Sequence, residues 1–197
     1  MSLEARVITH HDIMDMDEYG LIRKEKRAEL RPLKTARRVP VGPHATFYFE
    51  NYVTMWHQVH EMLYTERGGD EQLVDELAAF NPLIPQGAEL VATLMFEITD
   101  ATLRASILRR LTHVENHIFI QIGDEKIMAI PEEDVERTAK DGKTSSVHFV
   151  RFPFTANQVS AFKSVDAQII LGFDHENYGH LALLNNQTRT ILGQDFK

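Results

Sequence analysis

The sequence predicts an α+β fold: an antiparallel or mixed sheet with helices on one face, preceded by a helical N-terminal part. Three observations carry this. Beyond residue 88 the chain twice runs apolar strand, capped helix, apolar strand; before it, charged and amphipathic helical stretches are cut by Pro and Gly signals. Hydrophobic residues at 43% and charged ones at 25% of 197 are ordinary values for a chain that buries one core. The expected organisation is a helical region with a short β-hairpin over residues 1–87, packed on a sheet region over 88–197, as one compact domain.

The elements follow in order. Thr9 with Asp12 three residues on is a weaker form of the capping box and opens a short helix. A charged helix runs from Asp17 to about Leu30 and is expected to stop at Pro32, which lacks a backbone donor and clashes with the preceding turn. RRVPV and ATFYFE flank Gly42-Pro43 and read as a two-stranded excursion. FENYVTMWHQVHEMLYTERG then forms a helix with Asn51 at its N-cap and Gly68-Gly69 as its stop. Asp70 caps a further helix through about Phe80, and NPLIPQG, with two prolines and a glycine, is a rigid irregular connection.

ELVATLMFEI is a strand, Asp100 begins a helix through about His113, and NHIFIQIG is a strand with KIMAI as its hairpin partner after Gly123-Asp124. SSVHFVRFPF, a helix with the Thr155/Gln158 capping box, and AQIILGF repeat that order. Thr99 to Gly123 and Thr155 to Gly172 span 24 and 17 residues, a difference of 7, or about two helical turns. A βαβ-βαβ order is that of a ferredoxin-like sheet with both helices on one face; a looser antiparallel sheet is the alternative.

Composition excludes several function classes. The longest apolar stretch, within LVATLMFEI, is far short of the roughly 20 residues of a membrane span, and MSLEARVITHHD lacks the apolar core of a secretory signal, so no membrane role and a cytoplasmic location are expected. With no cysteine the chain holds no iron–sulfur cluster through thiolates and no thiolate zinc site. A net charge of −8 disfavours nucleic acid and anionic lipid. Residues 23–38, RKEKRAELRPLKTARR, depart from it with eight Lys/Arg against two Glu, a local +6. That run can dock a phosphate, an acidic partner or the acidic remainder of the chain; a solvated helix face running into an exposed strand is the favoured reading.

Within the 49–68 stretch, at roughly 100° per residue, Met55, Trp56, Val59, Met62 and Leu63 form the core-facing stripe. His57, His60, Glu61 and Tyr64 fall on its flank, with His57/Glu61 and His60/Tyr64 each at i,i+4. The order differs from the HExxH pattern of zinc hydrolases, so the histidines read as the wet flank of the helix. Glu66 points into the apolar arc, either as a last-turn residue paired with a base or as a buried acid or ligand. Glu50, just ahead of Asn51, favours the positive helix end.

Together, Gly42-Pro43 ahead of FYFEN, the Gln58-x-x-Glu61-Met62 pair, Glu66-Arg67, ELAAFNPLIPQGAELVATL, the SSVHFVRF strand and His175-x-x-Tyr178-x-His180 resemble the bacterial domain-of-unknown-function family 3501 over most of the chain. The resemblance matches at Glu50, Asn51, Gln58, Glu61, Met62, Glu66, Asn81, Glu89, His175, Tyr178 and His180. It does not require histidine at His57 or His60, and it departs at Glu176, where the family has proline. It implies no established activity. It does imply a setting beside rubrerythrin-like and iron–sulfur oxidoreductase proteins, and hence an accessory or partner role.

Two function classes follow. The preferred one is a non-catalytic accessory or binding partner of a redox system, with Glu50, Gln58, Glu61, Glu66, Asn81, Glu89 and Tyr178 as a candidate pocket. The other is a metal-dependent enzyme in which Glu61, Glu66 and Glu89 meet His175 or His180 around iron, manganese or zinc. For the loop from Gly172 to His180, Asp174, His175 and His180 can converge on a metal, or His175 can shuttle a proton, but turn-and-cap histidines are favoured because the spacing fits no metal motif. His113 and His117, beside Glu115, read as partners of a helix C-terminus. Open sheet edges also invite a homodimer.

Overall fold

In the computed structural model, residues 2–132, 138–139, 142–164 and 166–197 are described. The chain is α+β with two antiparallel sheets. The first sheet has the order β1 (Arg38–Val41), β2 (Ala45–Phe49), β3 (Glu89–Phe96), β7 (Val147–Pro153), β6 (Ile130–Pro131). The second has the order β5 (Glu125–Met128), β4 (Ile118–Ile122), β8 (Ile169–Phe173), β9 (Leu181–Leu183). Their facing sides share one apolar cluster that includes Phe47, Leu94, Phe152, Ile120, Leu171 and Phe173. The Phe47 and Phe173 rings, one from each sheet, lie 5.4 Å apart.

Strand burial follows the two-residue period of a pleated strand. In β7, His148, Val150 and Phe152 are buried, while Phe149 and Arg151 lie on the opposite face. On β3, Leu90, Ala92, Leu94 and Phe96 enter the cluster between the sheets; Val91, on the other face, joins a second cluster with Met55, Val59, Leu63, Leu73 and Ile84. That second cluster seats α3 (Tyr52–Glu66) and α4 (Gly69–Phe80) on the outer face of the first sheet. A strand covered on both faces must be apolar almost throughout, as LVATLMF is.

The ferredoxin-like arrangement is corrected by the strand pairing. The two strand–helix–strand units exist, β3–α5 (Ala101–Arg110)–β4 and β7–α6 (Ala156–Lys163)–β8, but each begins in the first sheet and ends in the second. β3 pairs with β7, with Thr93 opposite Phe149, and β4 pairs with β8, with Ile120 opposite Leu171. Both helices therefore bridge two sheets, whereas a ferredoxin-like unit keeps both its strands in one sheet.

Pro32 does not end the charged helix. α2 runs from Met16 to Ala36, and the Arg37 backbone N–H still donates to the Leu33 carbonyl. Tertiary anchoring overrides the local penalty: Pro32 is exposed, where its freed carbonyl partner meets water, while Ala36 and Arg37 beyond it are buried. α2 lies across α3. Tyr19 is fully buried against Trp56, His60 and Tyr64, and a Cβ at Gly20 would stand 2.9 Å from the Tyr64 ring, so glycine sets how closely the helices approach.

This packing buries His57 and His60, at 7% and 0% exposure, in place of the wet flank the helical wheel implies. The His60 Nε2 accepts from the Met14 backbone N–H at 3.1 Å, which places the ring proton on Nδ1, where it donates to the Trp56 carbonyl at 2.7 Å. Glu61 is the polar lock of the helix pair. Arg23 donates to it through Nε and Nη2, both at 2.8 Å, and the Tyr19 hydroxyl donates at 2.9 Å. The Arg23 hydrogen bonds, with help from Tyr19, hold the Glu61 carboxyl down at about 2 against an ordinary 4.5.

A carboxylate with a depressed folded pKa contributes stability that is present above its unfolded value and lost as pH falls through the folded one. Glu61→Gln is accordingly expected to cost stability at pH 7 by about 1–2 kcal/mol. Urea unfolding should show that cost shrinking from about pH 4.5 down towards 2.

Candidate functional site

A cavity of about 270 Å³ opens between α3, the end of α2 and the outer face of the first sheet, just under the usual size of small-molecule sites. Its walls are mainly apolar, with Phe49, Met55, Phe80, Leu83, Met95 and Phe149, and its polar end is formed by Glu50, Thr54, Gln58, Thr93 and Lys34. The local sequence explains the position of Glu50. Asn51 N-caps α3, accepting from the Thr54 backbone N–H at 3.0 Å while Thr54 Oγ1 accepts from the Asn51 N–H at 2.9 Å. This fixed first turn brings the Thr54 hydroxyl within 2.6 Å of Glu50 Oε2, and Thr93 on β3 donates to Oε1 at 2.8 Å.

Glu50 is only 8% exposed, and burial pushes its carboxyl pKa up; the two threonine hydroxyls and the more distant charges of Lys34 and Arg37 pull the other way. The Gln58 side chain makes no hydrogen bond among the described residues, which leaves an amide free for a ligand beside the carboxyl.

The backbone that carries Glu50 is held from below by Arg37. Its Nε donates to the Phe49 carbonyl and its Nη2 to the Glu50 carbonyl, each at 2.9 Å, and Nη2 also pairs with Asp195 near the C-terminus. Both charges are buried, at 2% and 7% exposure. Neither Arg37 nor Asp195 nor Thr93 stands out in the sequence: Arg37 is one of eight cations in a charged run, and Thr93 one polar residue in an apolar strand. Thr54 carries the one legible signal, its place three residues after an N-cap asparagine.

Of the residues singled out from the sequence, Glu50 and Gln58 meet in this cavity, and the others do not join them. Glu61 is spent on Arg23 and Tyr19. Glu66 is exposed rather than set in the apolar arc, and accepts from Gln72 at 3.0 Å; α3 has left the core by its last turn, where Arg67 takes a left-handed conformation with φ 57°. Asn81 latches the N-terminal segment, accepting from the Ile8 N–H at 2.7 Å and donating to the Ile8 carbonyl at 2.9 Å. Glu89 pairs with Arg151 at 2.8 Å and accepts from the Gln86 N–H at 2.7 Å, fixing the proline-rich connection to β7. Tyr178 joins the sheets: its hydroxyl donates to the Val41 carbonyl at 2.9 Å and accepts from the His44 and Ala45 N–H groups.

His175 is buried with both ring nitrogens engaged. Nδ1 accepts from the Asn177 N–H at 3.2 Å, so Nε2 carries the proton and donates to the Thr112 carbonyl at 3.2 Å. His180 lies edge-on to Tyr178 and over Gly42, where a Cβ would stand 2.6 Å from its ring. Among the described residues no three His, Asp or Glu side chains group closely enough to hold a metal ion, so Glu61, Glu66 and Glu89 do not converge with His175 or His180. Nor, among those residues, is any helix long and apolar enough to cross a membrane.

Fold and cavity thus define a two-sheet α+β protein with a small, mostly apolar chamber closed by a buried carboxyl. The chain belongs to the family described as Protein of unknown function (DUF3501), whose model matches residues 7–196. It is similar to a solved structure, a novel protein of unknown function from Burkholderia pseudomallei K96243, with 32% identity and a TM-score of 0.89 over 97% of this chain and 100% of that one. No curated protein matches it.

Two predictions follow from the geometry. A buried acid with a raised folded pKa binds more protons folded than unfolded, so it costs stability as pH rises from the ordinary 4.5 through its folded value. Glu50→Gln, which keeps the shape and removes the charge, should therefore gain stability relative to the parent as pH rises across that window in chemical denaturation. Asp195→Asn should cost about 3–5 kcal/mol in chemical denaturation by leaving Arg37 buried without its counter-charge, and Arg37→Met combined with Asp195→Leu should not recover that loss, because the Phe49 and Glu50 carbonyls would lose their donor.

Proposed function

We propose that this protein binds a compact, largely apolar small molecule in the Glu50 cavity and serves, without catalysing a reaction on it, as an accessory protein of a redox system. The observation that carries the reading is the combination of apolar walls with a nearly buried carboxyl and a free Gln58 amide at one end. An apolar body is favoured by the area it removes from water, and a few convergent polar groups fix its orientation. Glu50, raised by burial, meets an O–H or N–H donor as a carboxylate and an acceptor as an acid. The redox setting rests on the family resemblance, which points to rubrerythrin-like and iron–sulfur oxidoreductase proteins as partners.

Ligand-observed NMR with a panel of phenols, aromatic amines and short alcohols tests the binding role. Donor-bearing compounds should compete for one site, Met95→Trp should fill the cavity and remove binding, and Glu50→Gln should weaken it about tenfold. Equal binding by the parent and the Met95→Trp protein would contradict the reading. The accessory role predicts co-purification with an oxidoreductase that raised salt disrupts; a chain that emerges from lysate with no salt-sensitive partner would count against it.

A further inference from the structure

A second recess, of about 280 Å³, lies on the other side of Lys34 and Tyr48 from the cavity and is lined by Arg27, Arg31, Lys34, Arg38, Tyr48 and His57. Its electrostatics are one-sided. Arg38 is neutralised by Glu97 at 3.0 Å, and its Nε donates to the Tyr48 hydroxyl at 3.2 Å, which in turn donates to Glu97 at 2.6 Å, so this wall is fixed. Arg27, Arg31 and Lys34 have no carboxylate partner among the described residues. Glu61, on the same side of α3, is already taken by Arg23.

A row of cations on a helix is by itself a solvated face, and the sequence alone favours that reading. His57 adds an independent observation. It is more than nine-tenths buried, it lines this recess, and neither of its ring nitrogens has a hydrogen-bond partner. Buried polar atoms are satisfied in nearly all native proteins, so the unpaired imidazole marks this wall of the recess as incomplete, and the three unpaired cations beside it call for an anion. Burial also lowers the ring pKa to about 4, so the imidazole is neutral and adds no charge to the cations around it.

We propose that this recess is an anion site for a phosphoryl group, held by Arg27, Arg31 and Lys34, with the His57 ring in its lining. Charge matching selects the class. A carboxylate brings a single negative charge to three unpaired cations, whereas a phosphate monoester brings about 1.5 to 2 and three strong acceptor oxygens. Guanidinium groups match those oxygens in pairs, and an ammonium adds a point charge. The site stands apart from the Glu50 cavity apart from the shared Lys34 and Tyr48, and does not depend on what the cavity binds.

The test is a titration of the full chain with inorganic phosphate and then pyrophosphate, at ionic strength held constant with sodium chloride, followed by histidine side-chain nitrogen NMR with His57→Asn to assign the signal. Phosphate should shift the His57 ring resonances saturably, pyrophosphate should do so at least tenfold more tightly, and chloride should leave them in place. Arg27→Gln with Arg31→Gln replaces two exposed side chains and spares both cavities' shared wall, so the variant should fold as the parent does and weaken phosphate binding at least tenfold. In that variant the binding of cavity ligands should be unchanged, which separates this site from the Glu50 cavity. His57 signals that ignore phosphate and pyrophosphate, or that respond equally in the parent and the double variant, would overturn the proposal.

Discussion

The fold hangs on one buried cation. Arg37 stands where α2 ends and the first sheet begins, and its guanidinium reaches two successive carbonyls, Phe49 and Glu50, and the Asp195 carboxylate. Taking both charges out of water is costly, and their mutual attraction offsets that cost only with full hydrogen bonding. Arg37 meets this condition by joining three parts of the chain far apart in sequence: the basic helix, the junction between β2 and α3, and the C-terminal segment. Removing it would leave a carboxylate and two carbonyls buried without donors.

The position of the cavity follows from that junction. With the Phe49–Glu50 backbone pinned, Asn51 starts α3 at a fixed point, and the first turn places Thr54 over the Glu50 carboxyl. β3 supplies Thr93 from below because the period of the strand puts Val91, Thr93 and Met95 on the outer face, opposite the core between the sheets. The carboxyl thus has a hydroxyl on each oxygen and an apolar chamber in front of it. α2 does two things on its way to Arg37. It buries the flank of α3 through Tyr19 and Glu61, and it lays Arg27, Arg31 and Lys34 beside the orphaned His57.

What could be read from the sequence is what local chemistry decides. The Thr9/Asp12, Asn51, Asp100 and Thr155/Gln158 caps all form, because each is a contact within three or four residues. The hairpins at Gly42 and Gly123 form for the same reason, both glycines having positive φ. Strand partners are decided by packing, so two βαβ-like units were visible while their division between two sheets was not. The histidine flank looked wet because a helical wheel holds one helix only, and α2 covers it. Glu50 was legible as a helix-end residue with a family match, but its burial depends on Thr93 and Arg37, which no spacing rule connects to it. Pro32 misleads for a similar reason: anchoring beyond it outweighs one lost hydrogen bond on an exposed face.

The central claim is that the Arg37-anchored junction holds Glu50 as a buried carboxyl facing a ligand cavity. It is tested most directly by following the Glu50 side-chain carboxyl carbon through a pH titration by NMR, with the signal assigned from the Glu50→Gln protein. The account predicts a midpoint above the ordinary glutamate value of 4.5, and a further displacement when a donor-bearing ligand saturates the cavity. A midpoint at or below 4.5 that ligand leaves unmoved would mark Glu50 as a solvated carboxylate and contradict the account.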